Sequence, residues 1–172
     1  VGMSEFAVFR GGVAQRDQLK RLNIPTFTAE PKNLTQLIDQ VEGVATALNR
    51  AERGRELAAR LRARLEQLRQ QYAREQPLRV FYQVWDRPLY TVGGGQIISD
   101  ALALCGARNV FADVSLPAPQ VSVESVLQRN PDVIIAGTQA QLDAWKAWPQ
   151  LEAVKQGRLR RVLDDHLEHR GS

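Results

Sequence analysis

The sequence is poor in reactive side chains, with one cysteine, one methionine and two histidines among 172 residues. The single Cys105 excludes an internal disulfide and a cysteine-based zinc site. No Ser-His-Asp arrangement or cleft-flanking carboxylate pair can be argued from two histidines that both lie near the end, at His166 and His169. No apolar run approaches the roughly 18 residues that span a bilayer. No charged start followed by an apolar run marks a signal peptide, so an export signal, if the protein uses one, is absent from this chain. Charge of one sign is also scarce. Lys and Arg total 23 against 19 Asp and Glu, a net +4 spread along helices, with no contiguous basic face that would take nucleic acid. No repeat at a solenoid period is present. What remains is the composition of a globular protein with ample material for a core.

The most organised stretch is Asn49 to Gln76. Its apolar residues Leu57, Leu61, Leu65, Leu68 and Tyr72 are spaced by three or four, which places them on one stripe of a helix. A continuous helix from Ala51 to Ala73 would reach roughly 35 Å, long enough to join two lobes. The same pattern also fits a core or surface helix of one domain, and flanking sequence decides between them. Pro77 is expected to stop the helix, because its ring removes an N–H and pushes the preceding residue out of the helical region.

Before the helix, residues 1 to 6 carry no pattern, and Ala7-Val8-Phe9 reads as the end of a strand running into Gly11-Gly12. A short helix Gln15 to Leu22, a stop at Asn23 and a strand Ile24 to Thr28 follow. This is a β-α-β unit whose beginning is missing. The first lobe is expected to be incomplete, with exposed sheet edges that favour a dimer or strand exchange. Asn33 is a good N-cap for a helix carrying Leu34, Leu37, Ile38, Val41, Val44 and Leu48, and Asn49 with Gly54 predicts a joint.

After Pro77 the pattern changes to strands alternating with helices, which predicts a parallel sheet covered on both sides. The strands are Leu78 to Val84, Asp132 to Ala136 and Arg158 to Leu163; the helices are Gln96 to Leu104, Ser122-capped to Arg129, and Gln139 to Trp148. The last strand stands where such a lobe normally adds a covering helix, so this end too reads as cut. Trp145 and Trp148 read as core or lobe packing, and Cys105, just before Gly106, as a buried thiol. Gly93-Gly94-Gly95 lacks the Lys-Ser/Thr of a P-loop and the third Gly of G-x-G-x-x-G. It reads as a turn that lets backbone approach a ligand or the opposite lobe. Asp164, Asp165, His166, Glu168 and His169 are the only cluster with metal-ligand chemistry, but consecutive strand residues point to opposite faces, which argues against a local site.

The order of these parts resembles the substrate-binding proteins of ABC importers for cobalamin, siderophores and haem. The residues that carry the resemblance are Phe9-Arg10-Gly11-Gly12, Arg79 to Val84 with Tyr90-Thr91 and the glycine turn, and Cys105 to Phe111. Pro119 to Glu124, Asn130 to Ile135 and Pro149 to Leu159 complete the set, and the P-Q-V-S-x-E stretch leans toward the cobalamin-binding branch. The resemblance implies an α/β fold of two parallel-sheet lobes joined by one long rigid helix, the N-terminal lobe incomplete here. Residues 1–48 are then the remnant of that lobe, 49–76 the inter-lobe helix and 77–172 the C-terminal lobe. It also implies a periplasmic, non-catalytic protein that captures a cobalamin-like, haem or ferric siderophore ligand between its lobes and delivers it to a membrane permease. A stiff inter-lobe helix predicts little change in solution scattering on ligand binding.

In a doubly wound sheet, ligands sit beyond the carboxyl ends of strands, so the loops after Phe9, Val84, Phe111 and Leu163 form the expected rim. Phe9, Trp85 and Tyr90 fall there, and flat aromatic faces suit a corrin or porphyrin, although Phe9 and Tyr90 also fit a core. By the resemblance, cobalamin-binding relatives carry Trp at the position of Phe9, an aromatic at Tyr90, Trp at the position of Ala118 and Arg at Arg170. Ala118 departs from that pattern. By the same resemblance Glu124 docks onto permease arginines, and its counterpart on the other lobe falls at Gln15, where the charge is absent and Asp17 is the nearby acid. Glu124 in a first helical turn is also what the helix dipole favours. Two other classes stand beside this one: a nucleotide-dependent α/β enzyme with phosphate at the Gln96 helix start, and an interaction module using the basic helix.

Overall fold

The computed structural model describes residues 13–23 and 31–162. The strands expected at Ala7–Phe9 and Ile24–Thr28, and the cluster from Asp164 to His169, lie outside the described residues. The chain divides into two compact units, residues 1–31 with 35–61, and residues 32–34 with 62–172.

In the first unit, α1 (Val13–Arg21) ends where the sequence places a stop: Asn23 takes a φ of 53°, a left-handed conformation that asparagine tolerates better than branched residues. Helix α2 (Leu34–Ala47) begins directly after Asn33 and buries Ile38. Asn49, at φ 56°, turns the chain, and the Arg50 N–H returns to the Ala45 carbonyl at 2.7 Å. Helix α3 (Ala51–Tyr72) follows as one unbroken segment. Residues 51–61 of α3 fall in the first unit and 62–72 in the second.

Two details of α3 differ from expectation. Gly54 lies inside the helix and is buried rather than acting as a joint; a Cβ there would stand 2.4 Å from the Ala45 Cβ, so its bareness lets α2 and α3 close on each other. The buried line runs through Gly54 and Ala58, while Leu57, Leu61 and Tyr72 remain exposed, because the close crossing selects small residues over large ones. The helix also stops at Tyr72, short of Pro77. Its last carbonyl abuts Gly106, where an added Cβ would stand 2.1 Å from the Tyr72 oxygen, and the Gly106 carbonyl accepts the Leu78 N–H at 3.1 Å. The chain must leave the helix there to reach its first strand.

The second unit is a sheet with helices around it. Strand β1 (Leu78–Asp86) is its centre. It pairs in parallel with β4 (Val133–Ala136), with Phe81 opposite Ile134, and β4 pairs in parallel with β5 (Leu159–Arg161). On the other edge of β1 its first half pairs in parallel with β3 (Ala107–Asn109), and its last part pairs antiparallel with β2 (Leu89–Thr91). The expectation of an all-parallel sheet therefore fails at β2, a hairpin return made through Arg87-Pro88.

Helices α4 (Ile97–Leu104), α5 (Val123–Arg129), α6 (Gln139–Trp145) and α7 (Glu152–Lys155) complete the unit. Ser122 caps α5, its hydroxyl accepting the Ser125 N–H at 3.1 Å, and Thr138 caps α6 in the same way through Gln141. Helix α6 ends three residues earlier than its pattern suggested, with Trp148 in the turn before Pro149. The core is Phe81, Phe111, Val126, Ile134, Leu142, Trp145 and Leu151, all buried. Phe81 sits edge-on to Phe111 at 5.8 Å and to Trp145 at 5.6 Å, the offset geometry that aromatic quadrupoles prefer. Asn109, 2% exposed, ties this core to the segment after β2. Its amide nitrogen donates to the Val92 carbonyl and to Ser99 Oγ, and its Oδ1 accepts the Phe111 N–H.

Cys105 is exposed, contrary to the buried thiol expected; it occupies the C-cap of α4, past the last packed turn. Among the described residues no helix is long and apolar enough to cross a membrane.

Candidate functional site

Strands β1 and β4 run side by side, and their carboxyl ends deliver the chain into the β1–β2 hairpin and the start of α6. An open groove of about 500 Å³ lies there. Trp85 and Arg87 line it from the hairpin, Thr138 and Gln141 from the start of α6, and Trp145 and Trp148 from its far end. Trp85 is 57% exposed, and its indole N–H donates to the Arg87 carbonyl at 3.2 Å, which fixes the ring against the hairpin turn. Trp148 is 36% exposed and Trp145 is buried, so the lining of the groove carries two exposed aromatic residues and one buried one.

The polar groups of the groove are few. Gln83, 5% exposed, accepts the Trp145 indole N–H at 2.8 Å. Gln141 accepts the Gly137 and Thr138 N–H groups at 3.2 Å each. The Thr138 hydroxyl accepts the Gln141 N–H and is committed to the cap. Asp86 and Arg87 supply one charge of each sign. No serine, cysteine or histidine lines the groove among the described residues. Histidine, cysteine, methionine and tyrosine, the usual axial ligands of haem iron, are likewise missing from its lining. Its exposed aromatic surface suits a flat molecule.

A smaller groove of about 230 Å³ lies toward the opposite end of β1, lined by Arg79, Arg108 and Arg129 with Asp113. Arg129 forms a two-toothed pair with Asp113, donates to the Val110 carbonyl and stacks 4.4 Å from the Phe111 ring centre. The hydrogen bond from Arg129 holds the Asp113 carboxyl below its ordinary range. On α6, Asp143 is lowered in the same direction, first by Lys146 and then by Gln139.

The residues singled out in sequence are placed as follows. Trp85 lines the groove. Tyr90 is half-buried directly across the hairpin from Trp85 and bridges to Gln120, while its neighbour Leu89 is the residue that reaches the groove. Ala118 is exposed on the 112–121 loop and does not line the groove. Glu124 is exposed in the first turn of α5, next to Val123, which does line it. Gln15 falls in α1, and Phe9 and Arg170 lie outside the described residues. Sequence reasoning missed Trp148, Gln83 and Gln141 as groove residues. The available signals were a polar residue interrupting the apolar run of β1 and the Thr-x-x-Gln capping pattern after β4.

The glycine turn also finds its place. Gly93 and Gly94 approach carbonyls of the 112–116 loop so closely that a Cβ would stand 2.0 and 2.1 Å from them. Their N–H groups donate to Pro117 and Val114. The close approach is to a loop of the same unit, and the N–H groups of Gly93 and Gly94 are not free to cradle a phosphate.

Comparison with known proteins bears on all of this. Residues 6–165 match the family described as "Periplasmic binding protein". The vitamin B12-binding protein of Yersinia pestis (strain Pestoides F) is 40% identical over 148 residues, covering 83% of this chain and 53% of that protein. The chain thus spans about half the length of the curated relatives it matches. The crystal structure of the periplasmic vitamin B12 binding protein BtuF of Vibrio cholerae matches with a TM-score of 0.78 at 34% identity, over 88% of this chain and 61% of that one. The periplasmic heme-binding protein RhuT from Roseiflexus sp. RS-1 shares the fold, with a TM-score of 0.74 at 23% identity, over 90% of this chain and 64% of that one. With α/β architecture, one long helix and a family match over nearly its whole length, this chain belongs to the periplasmic binding protein family.

Proposed function

We propose that this chain is the solute-binding component of an ABC importer, or a large part of one, acting in the periplasm without catalysis. Its ligand is a cobalamin-like molecule, which it hands to a membrane permease. The observation that carries this reading is the groove at the carboxyl ends of β1 and β4, with Trp85 and Trp148 exposed in its lining. Parallel sheets bind ligands at that end, and paired aromatic faces match a large planar ring. The names of the more similar relatives point the same way.

In this reading Trp85 lines the ligand site, and the ligand-binding roles of Phe9, Tyr90 and Arg170 rest on the family resemblance alone. Ala118, which does not line the groove, takes no part in this reading of the site. Glu124, exposed at the start of α5, and Gln15 on α1 are the docking positions toward the permease. Charge reversal, Glu124→Arg, is expected to weaken capture by the cognate permease in detergent; unchanged capture removes Glu124 from that surface. The function itself is tested by calorimetric titration with cyanocobalamin, haem and a ferric hydroxamate siderophore. Cyanocobalamin is expected to bind most tightly. No binding, or binding of haem alone, overturns the reading.

A further inference from the structure

Gln83 is a polar side chain in an apolar place. It lies 5% exposed near the carboxyl end of β1, and its Oε1 accepts the Trp145 indole N–H at 2.8 Å. An indole nitrogen can only donate, so the oxygen end of the amide must face Trp145 and the NH2 end is turned away from it. No acceptor among the described residues meets that NH2 group. Gln83 lines the aromatic groove. Gln141 is set in the same sense: its Oε1 accepts two backbone N–H groups, from Gly137 and Thr138, which leaves its NH2 end directed away from the backbone in the same groove.

We propose that the Gln83 and Gln141 amides form a donor pair that recognises carbonyl oxygens on the rim of the ligand, the chemistry of a corrin ring bearing amide side chains. This rests on the function proposed above and names how the groove tells its ligand from others of similar size. A ligand that displaces solvent without offering an acceptor leaves a buried donor unpaired, and sites built this way reject such ligands strongly. Trp85 and Trp148 then supply stacking surface that does not discriminate among flat rings, and the two amides fix which edge of the ring faces β1. Gln83 does this by direct contact, with its own orientation imposed by Trp145.

The test uses the whole chain labelled with nitrogen-15, titrated with cyanocobalamin and read through the side-chain amide resonances of Gln83 and Gln141, alongside calorimetry on the wild type and Gln83→Met. Methionine keeps the volume and removes the donor, but also the acceptor of the Trp145 indole N–H. Gln83→Glu, which keeps that acceptor and lacks the NH2, is therefore measured beside it and is expected to bind as weakly. A thermal melt reports whether each variant is folded. The expected result is a downfield shift of the Gln83 NH2 resonances on binding and about tenfold weaker binding by Gln83→Met, equal to 1.4 kcal/mol. If the wild type binds while the Gln83 resonances stay in place and Gln83→Met binds equally well, the donor proposal is overturned and the transport reading stands. If the wild type does not bind cyanocobalamin at all, both fall.

Discussion

Replacing Asn109 with alanine probes how the segment that leads from the hairpin to the glycine turn is held. The side chain is 2% exposed and makes three hydrogen bonds: to the Val92 carbonyl at 2.7 Å, to Ser99 Oγ at 2.9 Å, and from the Phe111 N–H at 2.9 Å. Ser99 keeps a second partner, since its hydroxyl also donates to the Gly93 carbonyl. Alanine therefore strands two backbone groups, the Val92 carbonyl and the Phe111 N–H, both in a buried setting. Each orphaned group costs about 1 to 3 kcal/mol, and partial relaxation brings the sum to about 3 kcal/mol. At about 2 to 4 °C per kcal/mol for a chain of this size, the melting temperature should fall by about 6 to 12 °C. Calorimetric or circular-dichroism melts of wild type and Asn109→Ala measure this. A fall of less than about 2 °C would show that the three bonds are replaceable by solvent and that this residue does not hold the segment.

Other consequences follow from single features. Gly106→Ala adds a Cβ 2.1 Å from the Tyr72 oxygen at a φ of 72°, so it should lose about 2 kcal/mol or more by denaturant titration; a neutral result would show that α3 can end elsewhere. Asp113 has its carboxyl lowered by Arg129, so the pair's contribution is present above the ordinary aspartate range and is lost as pH falls through the depressed value. A carbon-13 titration should place Asp113 below an unpaired aspartate, and Arg129→Gln should bring it back up; equal midpoints would mean that the pair does not persist in solution.

Much of the second unit could be read from its residues because local signals and packing agree there. The runs that became β1 and β4 are apolar and bounded by Pro77 and Asn130-Pro131, and Ser122 and Thr138 cap helices where a hydroxyl is followed three residues later by a partner. Asn23 and Asn49 end helices at positive φ, as their residue type allows. What stayed hidden depended on contacts distant in sequence. The stop at Tyr72 is set by Gly106, the buried face of α3 by Ala45, and the exposure of Cys105 by a turn that packs nothing over it. The site was half legible. Trp85 could be placed from strand order alone, whereas Trp148 reaches the groove only because α6 stops early, and the Gln83 amide is oriented by an indole 62 residues away.

Binding of cyanocobalamin by the wild type and by Trp85→Ala, measured by calorimetry with melts run in parallel, tests the central claim most directly. Trp85 is 57% exposed, so its loss should leave stability within about 0.5 kcal/mol. It should also remove one stacking face, weakening binding by roughly tenfold. Equal affinity of the two proteins, or no binding by either, would contradict the assignment of the groove beyond β1 and β4 as the ligand site.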